Sequence, residues 1–145
     1  MNQTHYNSLI NMYRSAPINK LFNPKLEVKL GKSIITMNVN EKFHHSAHSL
    51  HGSIYFKMLD DSAFFAANSF VDDVFLVTSS FTTYLIRPIT KGKIKSIGKV
   101  VSKSKNQFIS ESILFDAKEK EVARGSGIFV KSKYLLNDAL GYNGK

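Results

Sequence analysis

The chain contains no cysteine and no tryptophan. The first absence excludes disulfides, thiolate nucleophiles and thiolate-held metal centres. It suits a reducing compartment, so the expected location is the cytoplasm. Proline is scarce too, at positions 17, 24 and 88 only, which leaves long uninterrupted stretches for regular elements. Negative charge is sparse: 11 Asp and Glu stand against 20 Lys and Arg, a formal net charge of +9. No apolar run approaches the ~20 residues that span a bilayer. The start, MNQTHYNSLINMYRSAP, has neither the basic head nor the apolar core of a secretory signal. A soluble protein with no membrane partner is expected.

What is present suffices for one packed domain. The 145 residues are 43% hydrophobic and include eleven Phe, enough for a single core. The expectation is one domain over 1–145, with a helical segment at 1–22 and a tail at 133–145 that frays or forms a short helix. Lys91, Lys93, Lys95, Lys99, Lys103 and Lys105 cluster in one stretch. Such a run reads as a solvated face or as a site that attracts an anion. No zinc-finger or RNP-type motif accompanies it, so nucleic acid is not the expected partner. A phosphate-bearing small molecule is the better candidate.

Periodicity gives the order of elements. Residues 5–15 carry an amphipathic pattern that ends before Pro17, and a second helical turn covers 18–22. Leu26, Val28 and Leu30 alternate with charged residues, Gly31-Lys32 turns the chain, and 34–39 returns, a hairpin. Residues 40–52 are polar and histidine-rich. Residues 53–70 are apolar nearly all round, the mark of a buried helix. Residues 74–87, 93–103, 107–115 and 122–130 read as strands, punctuated by Pro88, Gly92 and a polar turn at 116–120. One long helix and about six antiparallel strands imply an α+β fold with a curled sheet wrapped round the helix.

The chemistry concentrates in HGSIYFKMLDDSAFFAANS, residues 51–69. Gly52 stands at the mouth of the helix, where backbone N–H groups and partial positive charge collect. Asp60 stands in its middle, and a carboxylate on an oily helix needs a partner or a use. An N–H donor and a base or nucleophile are what acyl transfer requires. Asp60 can instead be an ion-pair partner of Lys57, and Gly52 a plain turn residue. Asp61 lies about 100° further round the helix and is expected to pair with Lys57 or to cap a loop. His51 either places substrate or fixes the turn. His44, His45, His48 and His51 fall close together, but no carboxylate or cysteine joins them in that loop, so no metal site is expected. Strand alternation puts Thr78 and Ser80 on one face and Ser79 on the other. Phe56, Phe64 and Phe65 fit an aromatic pocket or ordinary core.

The element order resembles the hotdog fold, and HGSIYFKMLD resembles the HGG-x6-[DE] signature of the PaaI-like acyl-CoA thioesterases. The segment FTTYLIRPITKGKIKSIGKVV, residues 81–101, resembles the strand-Pro-Gly-strand pattern that follows the signature, and the resemblance spans about residues 25–131. Two positions depart from the pattern. The second glycine is Ser53, a good residue near a helix start, and an Asn common six residues before the histidine is His45.

The resemblance implies acyl-CoA hydrolysis without a cofactor, CoA being part of the substrate. It implies a homodimer, often paired into a tetramer, with Asp60 of one subunit meeting Gly52 of the other. Asp60 would be general base or nucleophile and the Gly52 N–H the oxyanion donor. His45 would replace the water-orienting Asn, and Thr78 would match a hydroxyl that holds the water. The substrate-binding set would be Ser53 at the helix start, with Lys103, Lys105, Arg87 and Arg124 for the CoA phosphates. The alternatives are a hotdog protein that binds acyl-CoA without hydrolysing it, and a hotdog hydratase or dehydratase.

Overall fold

A computed structural model describes residues 2–144. Two helices, α1 (Gln3–Ser15) and α2 (Pro17–Phe22), precede the hairpin β1 (Lys25–Lys29) and β2 (Lys32–Asn38). The long helix α3 (Gly52–Asn68) follows, and then β3 (Val74–Leu85), β4 (Lys93–Lys103), β5 (Gln107–Phe115) and β6 (Glu121–Leu135). Local chemistry sets the early boundaries. The Asn2 side chain caps α1 by accepting the His5 N–H, and Pro17 opens α2, where its missing N–H costs nothing. The strands form one antiparallel sheet in the order β1-β2-β4-β5-β6-β3. Its concave face wraps α3, the arrangement expected from the sequence.

The helix lies close to the sheet because the sheet offers it small residues. Ser33, Gly98, Ser112 and Gly125 are mutual cross-strand partners and form one row across β2, β4, β5 and β6. A Cβ on Gly98 would sit 2.1 Å from the Ser62 carbonyl oxygen, so only glycine admits the helix there. Ser33 Oγ donates to that carbonyl at 2.6 Å, and Ser112 Oγ donates to the Leu59 carbonyl at 2.8 Å. Above this polar seat the helix buries Met58 and Leu59 completely, each worth roughly 1.5–3 kcal/mol. The seat fixes the rotation of α3, and therefore the direction of Asp60.

Three details differ from the sequence expectations. First, β6 runs on to Leu135 instead of stopping near residue 130, because Leu135 pairs with Val74 at the start of β3. Second, the tail forms the short helix allowed for, a single turn over Leu136–Asp138, but beyond it the chain docks and does not fray. Tyr142 is buried and its hydroxyl lies 2.7 Å from His5 Nδ1, while His5 Nε2 lies 2.9 Å from the Asn68 carbonyl oxygen. His5 of α1 and Tyr142 of the tail thus meet at the C-terminus of α3; Met1 and Lys145 lie outside the described residues. Third, Thr78 and Ser80 do not share a face. Thr78 pairs with Phe129 and Ser80 with the adjacent Ile128, so Ser79 is an extra residue in a β-bulge. Bulges re-aim side chains: Thr78 faces α3 in step with the buried Leu76, and the extra residue lets Phe81, three positions on, face inward as well.

Candidate active site

Asp60 and Asp61 have opposite surroundings. Asp61 Oδ2 accepts from Lys57 Nζ and from the Tyr13 hydroxyl, each at 2.7 Å. Lys57 takes the i+4 partner and leaves Asp60, at i+3, without an ion pair among the described residues. Asp60 Oδ1 instead accepts a single side-chain hydrogen bond, from Thr78 Oγ1 at 2.8 Å. Burial pushes the Asp60 carboxyl up to about 6; the Thr78 hydrogen bond opposes this, the neighbouring Asp61 adds to it, and Lys57 opposes it weakly. Desolvation that outweighs the stabilising contacts is the usual way a protein makes a carboxylate basic.

The pocket beside Asp60 has a volume of about 320 Å³. Its walls are mostly apolar: Met12, Tyr13, Ile18, Phe64, Phe65 and Phe75. Phe64 and Phe65 stand where an aromatic pocket was expected. Phe56 does not; it packs edge-on against Phe81 at 5.6 Å. The contribution of α1 and α2 was not foreseen. Tyr13 was visible only as a residue on an amphipathic helix, and nothing local indicated that this helix pair would close the pocket.

The helix start is built as a donor site. His51 is the N-cap of α3, and its Nδ1 accepts the Ser53 N–H at 3.1 Å, with Ser53 Oγ 2.7 Å away. His51 and Ser53 therefore serve the turn and each other. Among the described residues the Gly52 N–H has no hydrogen-bond partner. A Cβ on Gly52 would lie 3.1 Å from Leu85 Cδ1, at the far end of β3. Gly52 and Asp60 are eight residues apart, about 12 Å along the helix axis. One chain cannot bring both to a single carbonyl carbon.

The other candidates are spread out. His45 folds onto its own loop, where Nδ1 accepts the Ala47 N–H at 3.0 Å. Arg87 lies near the helix start, its carbonyl accepting from the Tyr55 hydroxyl at 2.8 Å. Lys103 Nζ sits 4.3 Å above the Phe70 ring, past the C-terminal end of α3, with Lys105 in the adjoining turn. Arg124 is on the convex face, opposite Asp60, and its guanidinium is bound to Glu121 at 2.6 and 2.7 Å. The charge cluster read from sequence is thus divided: Lys93, Lys95 and Lys99 alternate with the buried Ile94, Ser96 and Gly98, and face away from the helix.

Comparison with known proteins gives the fold and the family. No curated protein matches the sequence. The Escherichia coli PaaI protein from the phenylacetic acid degradation operon is similar in structure, with a TM-score of 0.83 at 20% identity over 92% of this chain and 96% of that one. A thioesterase from Staphylococcus aureus gives 0.76 at 14% identity over 79% and 98%. One from Haemophilus influenzae gives 0.75 at 13% identity over 84% and 87%. These likenesses establish the hotdog fold. Residues 47–123 match the family model of the thioesterase superfamily. That span is more than half of the chain and contains Gly52, Asp60 and Thr78, so this protein belongs to the thioesterase superfamily.

Proposed function

We propose that the protein is an acyl-CoA thioesterase, active as a homodimer whose sites lie between the subunits. The observation that carries this reading is the contrast at Asp60. It is a carboxylate beside an apolar pocket, raised by burial, held by one hydroxyl and paired with no cation. A group of that kind is a base or nucleophile at neutral pH. Thr78 takes one carboxylate oxygen and leaves the other for water or for the thioester carbon. Asp60 either deprotonates an attacking water, whose addition expels the CoA thiolate and leaves the free acid, or attacks the carbonyl itself, expelling the CoA thiolate to give a mixed anhydride that water then hydrolyses to the acid and free Asp60. In both routes the carbonyl oxygen becomes an oxyanion, which the Gly52 N–H of the partner subunit would stabilise.

The edge strand supports the dimer. β3 pairs only with β6, and its free side is bare over twelve residues, an edge that isolated proteins avoid leaving open. Thr78 marks the Asp60 end and Leu85 the Gly52 end. With the Ser79 bulge counted out, both are the same number of strand steps from Thr82. A two-fold axis at Thr82 would set Thr78 opposite the partner's Leu85, and so bring Asp60 to the partner's Gly52. Val77 and Ile86, which are 42% and 49% exposed, would then cover each other. Pairing such dimers would give a tetramer.

The CoA phosphates fall to the basic residues at the two ends of α3, Lys103 and Lys105 at one and Arg87 at the other, in a reducing cytoplasm that the lack of cysteine suits. Arg124 is the weakest of these candidates, because Glu121 already occupies it. A non-catalytic acyl-CoA binder would be signalled by Asp60 ion-paired to Lys57, and Lys57 is engaged by Asp61 instead. The test is a panel of acyl-CoA thioesters assayed with wild type and Asp60→Asn. Loss of about two orders of magnitude or more in the variant, the scale of a lost general base, is expected. Equal rates across the panel would overturn the reading.

A further inference from the structure

Lys57 can reach either carboxylate, since partners three and four residues away both lie within range on a helix. Its choice of Asp61 is enforced from two other elements, α1 and α2. The Tyr13 hydroxyl of α1 shares Asp61 Oδ2 with Lys57, both at 2.7 Å. The Tyr13 ring lies 5.3 Å from Nζ and the Phe22 ring, at the end of α2, lies 5.5 Å from it. A cation between two aromatic faces is held by the negative potential of the rings as well as by its ion pair.

We propose that Asp61 is a positioning residue that keeps the Lys57 ammonium off Asp60, so that the catalytic carboxylate beside it stays unpaired; this rests on the reading of Asp60 as base or nucleophile. A cation within hydrogen-bond reach stabilises a carboxylate and lowers its pKa by roughly one to three units. A carboxylate so stabilised is a poorer base, and its lone pair is directed at nitrogen instead of water. Among the described residues of one subunit, the charges and titratable groups that face Asp60 are few; the proposed dimer would add the partner's His51, beside the partner's Gly52. From α3 they are Lys57 and Asp61, and from α1 Tyr13; α2 contributes the uncharged Ile18 and Asn19, and β3 the uncharged stretch 75–78. Asp61 therefore acts on Asp60 in two ways of the same sign: it adds a negative charge nearby, and it removes the one cation that the described residues of its own subunit put in reach. The same contact fastens α1 and α2 over the pocket, so the device that frees the base also closes the site.

The test is a pair of variants read two ways. Asp61→Asn keeps the size of the side chain and still accepts from Tyr13, but releases Lys57 to Asp60. The acid limb of the kcat/KM profile should move down by about one pH unit or more, and the plateau should fall about tenfold. Adding Lys57→Met removes the released cation, and the limb and the plateau should return most of the way. Asp61→Glu, which keeps the carboxylate, should retain the wild-type limb. The second readout needs no turnover: the Asp60 carboxyl carbon, titrated by NMR, should follow the same order in the folded variants. An Asp60 titration that does not move in Asp61→Asn, or is not restored by Lys57→Met, overturns the proposal even if the protein hydrolyses thioesters. Conversely, the expected titrations without hydrolysis of any thioester would sustain the positioning of Lys57 and overturn the thioesterase reading.

Discussion

β3 and β4 are consecutive long strands of twelve and eleven residues, and the chain treats them in opposite ways. β4 has β2 on one side and β5 on the other, and its inward residues Ile94 and Ser96 are fully buried. It is a finished strand, and its Gly98 lets α3 rest on the sheet. β3 has one neighbour, carries a bulge, and leaves Val77, Tyr84 and Leu85 at 42%, 61% and 54% exposure. The difference teaches where stability and chemistry are separated in this fold. The central strand seats the helix that bears Asp60, and the unfinished edge strand supplies the hydroxyl that addresses it.

The largest effect should come from breaking the finished strand. In Gly98→Val the new Cβ would stand 2.1 Å from one backbone atom of Ser62 and 2.2 Å from another. Backbone cannot rotate aside as a side chain can, so α3 must lift off its seat. Overpacking of this kind costs typically 1–3 kcal/mol and more where nothing can give. Loss of the cooperative thermal transition, or of soluble protein on expression, is expected. A variant melting within a few degrees of wild type would mean that the helix is not seated on this row.

Breaking the unfinished strand should spare the fold and abolish function. Val77→Lys with Ile86→Lys would set like charges directly opposite across the proposed two-fold, a destabilising arrangement for strand pairing. Light scattering should show a subunit mass near 16 kDa, and thioester hydrolysis should fall with dimer content. An active monomer would defeat the shared site, because Gly52 and Asp60 of one chain are too far apart to share a carbonyl. A wild type that is itself monomeric at micromolar concentration would have the same force.

The comparison also marks what could be read from the chain in advance. β4 was legible because its alternation is strict and Pro88 and Gly92 punctuate its start. α3 was legible because its apolar residues run all round and Gly52 opens it. The spacing from His51 to Asp60 stood in the sequence, and the family match contains it. The bulge was not legible. Its extra residue is Ser79, which has no glycine-like signature, and a strict period of two therefore placed Thr78 and Ser80 together. The contribution of α1 and α2 to the pocket was also hidden. Their amphipathic pattern shows that one face is covered but not by what, and the contacts of Tyr13 with Asp61 and of His5 with Tyr142 join residues far apart in sequence. The choice of Lys57 between two acids lay beyond helix spacing, since both spacings are permitted; it depends on rings brought in by other elements.

pH sharpens the role of the edge strand. If ionised Asp60 is the active form, kcat/KM should fall about tenfold per unit below about 6, where the carboxyl takes up its proton. Thr78→Val removes the hydrogen bond that favours the ionised form, so the limb should move upward in that variant. A limb that stays in place when Thr78 loses its hydroxyl would show that the bond from β3 does not act on Asp60.

A smaller effect is expected at the far end of β4. Reversing Lys103 and Lys105 to Glu should raise KM for acyl-CoA severalfold with kcat nearly unchanged, because remote phosphate contacts act alike on ground and transition states. The effect should shrink in high salt and vanish for a pantetheine thioester lacking the nucleotide. Unchanged KM for acyl-CoA would return these lysines to the solvated face that Lys93, Lys95 and Lys99 occupy.

The smallest effect is a gain in stability at the site itself. Asp60 has a carboxyl pKa raised from 3.8 to about 6 in the folded chain. Below 3.8 the group is protonated whether folded or unfolded, and its contribution to stability is fully present. Between 3.8 and 6 the folded state binds more protons than the unfolded state, so stability falls as pH rises through that window. Above 6 the cost is complete and constant, so at pH 7.5 the ionised Asp60 works against folding. Asp60→Asn replaces the carboxylate by a neutral side chain of the same shape, which can still accept from Thr78. After discounting for the water that reaches Asp60 through its pocket, the gain should be about 1 kcal/mol, or ~2–4 °C in Tm for a chain of this size. The variant should melt above wild type at pH 7.5 and level with it at pH 4. A fall in Tm at pH 7.5, or the same difference at both pH values, would show that Asp60 is held by more than one hydroxyl. With the predicted loss of turnover, the gain would identify Asp60 as a residue kept at a cost in stability for its chemistry.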